Sequence, residues 1–178
     1  MHKLNSEELN YLSSRYKEII PGKWDDFIES LETPLPSCFW VRENKITSPR
    51  LLELLSLDEE SVEKLPWHPY GFRLKKSELK IGNSVEYHAG FFHLQEEVSM
   101  LPPMILAAKE DEKVLDMCAA PGGKTMQILH QMNNRGTVVA NDWNVDRIKI
   151  LRSHAGRLGF SNIITMVGDE VQIGRAHV

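Results

Sequence analysis

The sequence predicts an α/β fold, a doubly wound parallel sheet in the carboxyl-terminal half preceded by a small α/β (α+β) amino-terminal lobe, and three observations carry the prediction. From residue 114 onward, short apolar segments rich in Val and Ile alternate with segments of helical periodicity, as parallel strands joined by crossover helices do. A glycine-rich turn follows the first of these segments. Upstream, helices and short strands are separated by Pro and Gly without that alternation. At 178 residues the chain holds one ordinary domain, or a small lobe plus part of another, which allows a sizeable core but not a large multidomain enzyme.

The elements follow in order. Asn5-Ser6 before Glu7 and Glu8, then Leu9, Leu12, Tyr16 and Ile19, predict a capped amphipathic helix that Pro21-Gly22 ends. A second helix is expected over Trp24 to Leu31, a strand over Cys38 to Val41, and a helix from Ser48-Pro49 through Leu57. Pro66 to Gly90 is rich in aromatics, Gly and Pro and reads as strands and turns joining two lobes. Leu94, Val98, Leu101, Ile105 and Ala108 are at helical spacing, which predicts a helix over Leu94 to Ala108, bent or restarted at Pro102-Pro103. Then come a strand at Val114 to Met117, a helix at Lys124 to Met132, a strand at Thr137 to Ala140, a helix at Val145 to Leu158 and a strand at Ile163 to Val167. The expected divisions are 1–88, 89–172 and a terminal segment 173–178.

Composition narrows the function classes. Apolar residues are 42% and charged residues 26%, the balance of a globular protein. A net charge of -4 provides no bulk electrostatic case for a nucleic-acid partner. Basic residues do gather locally, at Arg73, Lys75, Lys76 and Lys80 and at Arg147, Lys149, Arg152 and Arg157, where they face either a polyanion or water. Two cysteines far apart, Cys38 and Cys118, match neither a disulfide framework nor a metal site, so no metal is expected. No stretch resembles a signal peptide or approaches the roughly 20 apolar residues of a membrane span, so a cytoplasmic protein without a membrane partner is expected.

The turn after the first strand of the sheet carries the chemistry. Cys118, Ala119, Ala120, Pro121, Gly122, Gly123 and Lys124 combine small residues and glycines that admit a ligand close to the backbone with the amide groups that open a helix. Twenty residues beyond Gly122, Asp142 stands directly after the second strand, where a carboxylate accepts hydrogen bonds from ribose hydroxyls. Gly168-Asp169 ends the third, within reach of an adenine amino group. A glycine turn and two carboxylates suit an adenosine ligand without a phosphate to repel. The rival is a phosphate-binding loop, since Gly123-Lys124-Thr125 matches the end of G-x-x-x-x-G-K-[ST]. That pattern requires glycine at Cys118, and Pro121 removes an amide donor, so the nucleoside triphosphatase ranks below the adenosyl-cofactor enzyme.

Cys118-Ala-Ala-Pro-Gly-Gly-Lys124, the Ala140-Asn-Asp142 strand end, the Arg147 helix and Gly168-Asp169 resemble the successive cofactor motifs of the Nop2/Sun family of RNA (cytosine-5) methyltransferases. Gly90-Phe-Phe-His-Leu-Gln-Glu-Glu-Val-Ser-Met-Leu-Pro102 resembles that family's segment before the catalytic domain. The resemblance covers about residues 30 to 170 and, at Pro66-Trp67, Leu79 to Gly82, Gln95-Glu96 and Met132-Asn133-Asn134, is greatest to the bacterial 16S ribosomal RNA branch. It implies a class I (Rossmann-like) methyltransferase sheet, S-adenosyl-L-methionine held by Cys118 to Lys124, Asp142, Asp169 and Arg147, an RNA-binding amino-terminal lobe, and an RNA partner: ribosomal RNA, with transfer RNA the alternative. Ser37-Cys-Phe-Trp-Val-Arg42 departs from the family's Arg-Val-Asn strand.

Methylating carbon 5 of cytosine requires a thiolate at carbon 6. By the resemblance, the nucleophilic cysteine lies on later strands than any present here. Cys118 belongs to the cofactor turn and Cys38 to a buried strand, so no catalytic residue is expected and the fragment should be inactive alone. Ile173-Gly-Arg-Ala-His-Val178 reads as one translated frame of a sequencing-library adapter, which makes 173–178 a suspected non-native tail. A non-catalytic form that binds RNA or cofactor is the other reading.

Overall fold

The computed structural model describes residues 4–76 and 79–169, and the chain divides into two compact units, Met1–Leu35 and Pro36–Val178. The suspected tail, 173–178, lies outside the described residues.

The first unit contains helices α1 (Ser6–Tyr16) and α2 (Trp24–Glu32). Asn5 caps α1 as expected: its side chain accepts from the Glu7 and Glu8 amides at 3.0 and 2.9 Å, and the Glu8 carboxylate accepts from the Asn5 amide at 2.8 Å. The rings of Tyr16 and Trp24 each pack on Phe27, with centroids 6.1 and 5.8 Å apart. Neither helix buries a residue.

The second unit holds two sheets. The first is antiparallel, built from β1 (Cys38–Val41), β2 (Val62–Lys64), β3 (Gly71–Leu74) and β4 (Phe92–Leu94) in the order β2-β3-β1-β4. Helix α3 (Ser48–Leu54) starts with Pro49 in its first turn, where no amide partner is lost, and α4 (Val85–His88) is a single turn ahead of β4. All four residues of β1 are buried, because alternate side chains enter different cores. Phe39 and Val41 join Leu51, Phe72 and Phe92; Cys38 and Trp40 join the core of the second sheet. This first sheet therefore draws on residues either side of position 88.

The second sheet is parallel, β5 (Lys113–Asp116), β6 (Thr137–Asp142) and β7 (Ile163–Val167) in that order. Helices α6 (Gly123–Gln131) and α7 (Val145–Leu158) connect its strands. Their buried residues Met126, Leu129, Leu151 and Leu158 share one core with Val138 and Ala140. The strand–helix alternation read from the sequence is the architecture found.

One expectation is corrected. The helix anticipated over Leu94 to Ala108 is instead the end of β4, a 3₁₀ turn at Val98–Met100 and the short helix α5 (Leu101–Leu106). Pro102 and Pro103 have no amide to donate and fit only a first helical turn, so α5 begins at Leu101. Upstream, Gln95 is engaged by side-chain bonds: its amide donates to the Ser99 carbonyl at 2.8 Å and accepts from the Trp40 indole at 2.8 Å.

Candidate cofactor site

The three strand ends of the parallel sheet are tied into one platform by Asn141, which is fully buried. Its amide nitrogen donates to the Met117 carbonyl at 3.1 Å and the Gly168 carbonyl at 3.0 Å, reaching the chain just beyond β5 and β7 from β6. The Ala119 amide donates to the Asn141 carbonyl at 2.8 Å, which fastens the turn to β6. Thr125, in the first turn of α6, donates to the Asp116 carboxylate at 2.7 Å and links the helix to the end of β5.

Asp142 is the anchor of the turn. It is 3% exposed, accepts from the Ala120 amide at 3.2 Å and the Asn144 amide at 3.0 Å, and pairs with Arg147 at 3.3 Å. The Arg147 guanidinium also donates to the Ala120 carbonyl. A carboxylate offers about four acceptor sites, so these contacts leave capacity for a hydroxyl donor. Gly122 has φ +108°, and a Cβ there would lie 3.0 Å from Leu151 Cγ, so the turn presses on α7 with no room for a side chain. Asn144 caps α7 through the Asp146 and Arg147 amides at 2.9 and 3.1 Å, whereas the start of α6 has no side-chain cap. Asp169 stands exposed directly after β7.

A cavity of about 260 Å³ opens on the turn, lined by Cys118 to Lys124 and Asp116. His93, Gln95, Glu96, Ser99 and His154 complete it. Of these, His154 carried no signal in the sequence, since it lies on α7 amid polar residues. Its Nδ1 is 3.0 Å from the Pro121 carbonyl, and its ring meets that of His93 with centroids 5.1 Å apart. Burial, with His154 and Arg157 nearby, pushes the His93 imidazole down to about 3, so it is neutral at pH 7. Asp142, Arg147 and Asp169 do not line this cavity; they lie on or beside the β6 and β7 ends.

The residue set fits S-adenosyl-L-methionine. The glycine turn admits a ligand to the backbone, and the strand-end carboxylates Asp116, Asp142 and Asp169 favour a hydroxyl-rich, cationic ligand over a triphosphate. Among the described residues no group of His, Cys, Asp and Glu has metal-binding geometry, and no helix is long and apolar enough to cross a membrane.

Comparison with known proteins agrees with this geometry. The family model described as 16S rRNA methyltransferase RsmB/F matches residues 103–177, and that for the N-terminal domain of 16S rRNA methyltransferase RsmF matches residues 10–97. The chain belongs to the RsmB/F methyltransferase family. It is 38% identical over 150 residues to the ribosomal RNA small subunit methyltransferase F of Shewanella halifaxensis, covering 78% of this chain and 31% of that protein. It is 38% identical over 143 residues to the enzyme of the same name from Serratia proteamaculans, covering 78% and 30%. The chain thus spans under a third of the length of these RsmF relatives. A methyltransferase homolog protein from Pyrococcus horikoshii superimposes with a TM-score of 0.81 at 32% identity, covering 96% of this chain and 59% of that one. NSun6 from the same organism shares the fold, with a TM-score of 0.77 at 16% identity, covering 94% and 66%.

Proposed function

We propose that this RsmB/F-family chain is the cofactor-binding front of an RNA (cytosine-5) methyltransferase that uses S-adenosyl-L-methionine and acts on 16S ribosomal RNA. The observation that carries the reading is the Cys118–Lys124 turn, held by Asp116 at the end of β5 and by Asn141 and Asp142 at the end of β6, with Asn141 also bonded to the Gly168 carbonyl beyond β7. In this reading Cys118, Ala119, Ala120, Pro121, Gly122, Gly123, Lys124, Asp142, Arg147 and Asp169 hold the cofactor. Residues 1–88 form an RNA-binding-type lobe, 89–172 begin the methyltransferase domain, and the protein works in the cytoplasm.

The cofactor supplies an electrophilic methyl group on sulfur. Carbon 5 of cytosine would attack it only after a thiolate has added at carbon 6, releasing the neutral thioether, and removal of the carbon 5 proton by a base would then re-form the double bond and expel the thiolate. Neither cysteine of this chain suits that role. Cys38 is buried, and burial, with the Glu97 carboxylate beside it, pushes its thiol up to about 11. Cys118 is exposed but is part of the turn itself. The chain alone therefore binds cofactor without turnover.

Calorimetric titration with S-adenosyl-L-methionine, and with ATP and magnesium in parallel, tests the site. Saturable binding of the first is expected; micromolar ATP binding with no response to S-adenosyl-L-methionine would overturn the reading. Tritiated methyl transfer to 16S ribosomal RNA should not exceed a blank without protein, and incorporation above it would make Cys118 the nucleophile to examine.

A further inference from the structure

A second cavity, of about 500 Å³, is distinct from the cofactor cavity. It is lined by residues of the Glu43–Asn44 loop, the His68–Tyr70 loop and the carboxyl-terminal part of α6, where Gln127, His130 and Gln131 lie. The turn described above is at the other end of α6, a nine-residue helix about 13 Å long.

One wall of the cavity is planar, polar and short of partners, and Pro69, Met104, Ala107 and Ala108 make the rest apolar. His130 stacks on Trp40 at 5.2 Å between ring centroids and meets Tyr70 edge-on at 5.7 Å. His130 Nδ1, Gln127 Oε1 and Gln131 Oε1 are buried without a hydrogen-bond partner. His68 Nδ1 accepts from the Tyr70 amide at 3.1 Å, so its neutral ring carries the proton on Nε2, which faces Gln127 Nε2 at 3.1 Å. Turning the Gln127 amide over would satisfy His68 and break its donation to the Met100 carbonyl at 3.1 Å, so one polar atom remains unmatched either way. Unpaired buried amides are costly and native interiors contain few of them. Burial holds His68 and His130 down to about 4, so the rings are uncharged at pH 7.

The same loop carries cations. Arg42 and Lys45 flank Glu43 and Asn44, and a Cβ built on Gly159 would lie 3.6 Å from Lys45 Nζ and 3.9 Å from Arg42 Nη1. Arg157 joins them: the Lys45 ammonium is held below its ordinary range by burial and by the charges of Arg42 and Arg157. Lys45 and Arg157 donate to carbonyls, of Ala89 and of Tyr87 and Phe92, and the Arg42 guanidinium lies 4.4 Å from the Phe160 ring centroid with Nε and Nη1 unpartnered. None of the three makes a salt bridge among the described residues. Three gathered cations with no carboxylate favour an anion from outside. The carboxylates lining the cavity are already engaged, Glu43 by Ser48 and Glu110 by Arg135 and Asn133, and they exclude a phosphate from the cavity itself.

We propose that this face binds one unpaired nucleotide of an RNA strand, its base in the cavity against Tyr70, His130, Gln127 and Gln131, and its phosphate on exposed Lys45, with the charges of buried Arg42 and half-buried Arg157 behind it. A base bearing an amino group supplies the donors that the free amide oxygens lack, and aromatic stacking with amide pairing is how unpaired bases are read. The proposal rests on the RNA reading above but not on the cofactor turn.

The test is titration of the chain with cytidine 5′-monophosphate, cytidine and uridine 5′-monophosphate, followed by tryptophan fluorescence, since Trp40 stacks on His130. Cytidine probes are used because an adenine nucleotide would also enter the cofactor turn. The monophosphate is expected to bind more tightly than cytidine, to weaken with salt, and to exceed uridine 5′-monophosphate. Exposed Lys45→Ala should remove about tenfold from the monophosphate alone, and Gln131→Leu should weaken nucleotide and nucleoside alike. No fluorescence response, or a response that both variants leave unchanged, overturns the site; loss in Lys45→Ala with none in Gln131→Leu overturns the base pocket. S-adenosylhomocysteine binding on the same preparation reports the cofactor turn separately, so failure of either reading is told from the other.

Discussion

The two thiols differ in a way that one reagent reads out. Cys38 Sγ is buried beside Glu97, whose carboxylate and the loss of hydration both raise its titration to about 11, whereas Cys118 is exposed on the cofactor turn. At pH 8 only about one Cys38 in a thousand is thiolate, the species that reacts with a maleimide or disulfide reagent. Native labelling should therefore modify Cys118 and spare Cys38 until denaturant is added, and S-adenosyl-L-methionine should slow labelling at Cys118. Fast labelling of Cys38 in the native chain would contradict its burial. The imidazoles carry a second prediction. His68, His93 and His130 are held at about 4, 3 and 4 by burial, below the unfolded value near 6.5. A depressed value means stability present above pH 6.5 and lost as pH falls toward 4, by up to about 3 kcal/mol for each imidazole. The melting temperature should fall steeply across that interval, and a flat profile would show that the rings are hydrated.

At the scale of elements, the platform under the turn depends on Asn141 more than on any residue that faces the ligand. Asn141→Ala leaves the Met117 and Gly168 carbonyls without a donor. A cost of about 2–3 kcal/mol is expected, read as a lower denaturant midpoint together with weaker cofactor binding. Gly122→Ala introduces a Cβ at φ +108° against Leu151, so it should destabilise by about 1 kcal/mol or more and impair the turn, with β6 and β7 intact by circular dichroism. The capping box of α1 is an independent element: Asn5→Ala removes an acceptor from two amides and should raise hydrogen exchange at Glu7 and Glu8 while cofactor binding is unchanged.

Across the whole molecule, the two faces of the parallel sheet are unlike. One packs on α6 and α7, while Leu115, Ile164 and Met166 on the other are 47%, 54% and 42% exposed. Leu115 and Ile164 share one row across Val139. Val98, Ile105 and Leu106 add to the exposed apolar surface. Contiguous apolar surface of this kind drives association. The chain should self-associate at micromolar concentration and bind an apolar dye, and Leu115→Lys with Ile164→Lys should reduce both; a monodisperse monomer that ignores the dye would refute this.

Much of the parallel sheet was legible because its information is local. Strands of Val and Ile followed by helices, and a glycine turn at a strand end, state their roles within a few residues, as do Asn5 and the glutamates of the capping box. The helix misjudged over Leu94 to Ala108 shows the limit, since its apolar spacing was real but side-chain bonds at Gln95 and the two prolines divide it. Charge was least legible. Arg73, grouped by sequence with Lys75 and Lys76, is paired with Glu63 and Glu97, and Arg147 with Asp142. Arg42 and Lys45, from one loop, meet Arg157 of α7 only in the fold, and none of the three makes a salt bridge among the described residues. The sequence alone determined the α/β class, the glycine turn at the end of the first parallel strand and the family resemblance, because each is written in contiguous residues. The tertiary structure decided which charges are neutralised, which imidazoles are stripped of water and which side chains share a cavity, because those depend on partners brought together across more than 20 residues of chain.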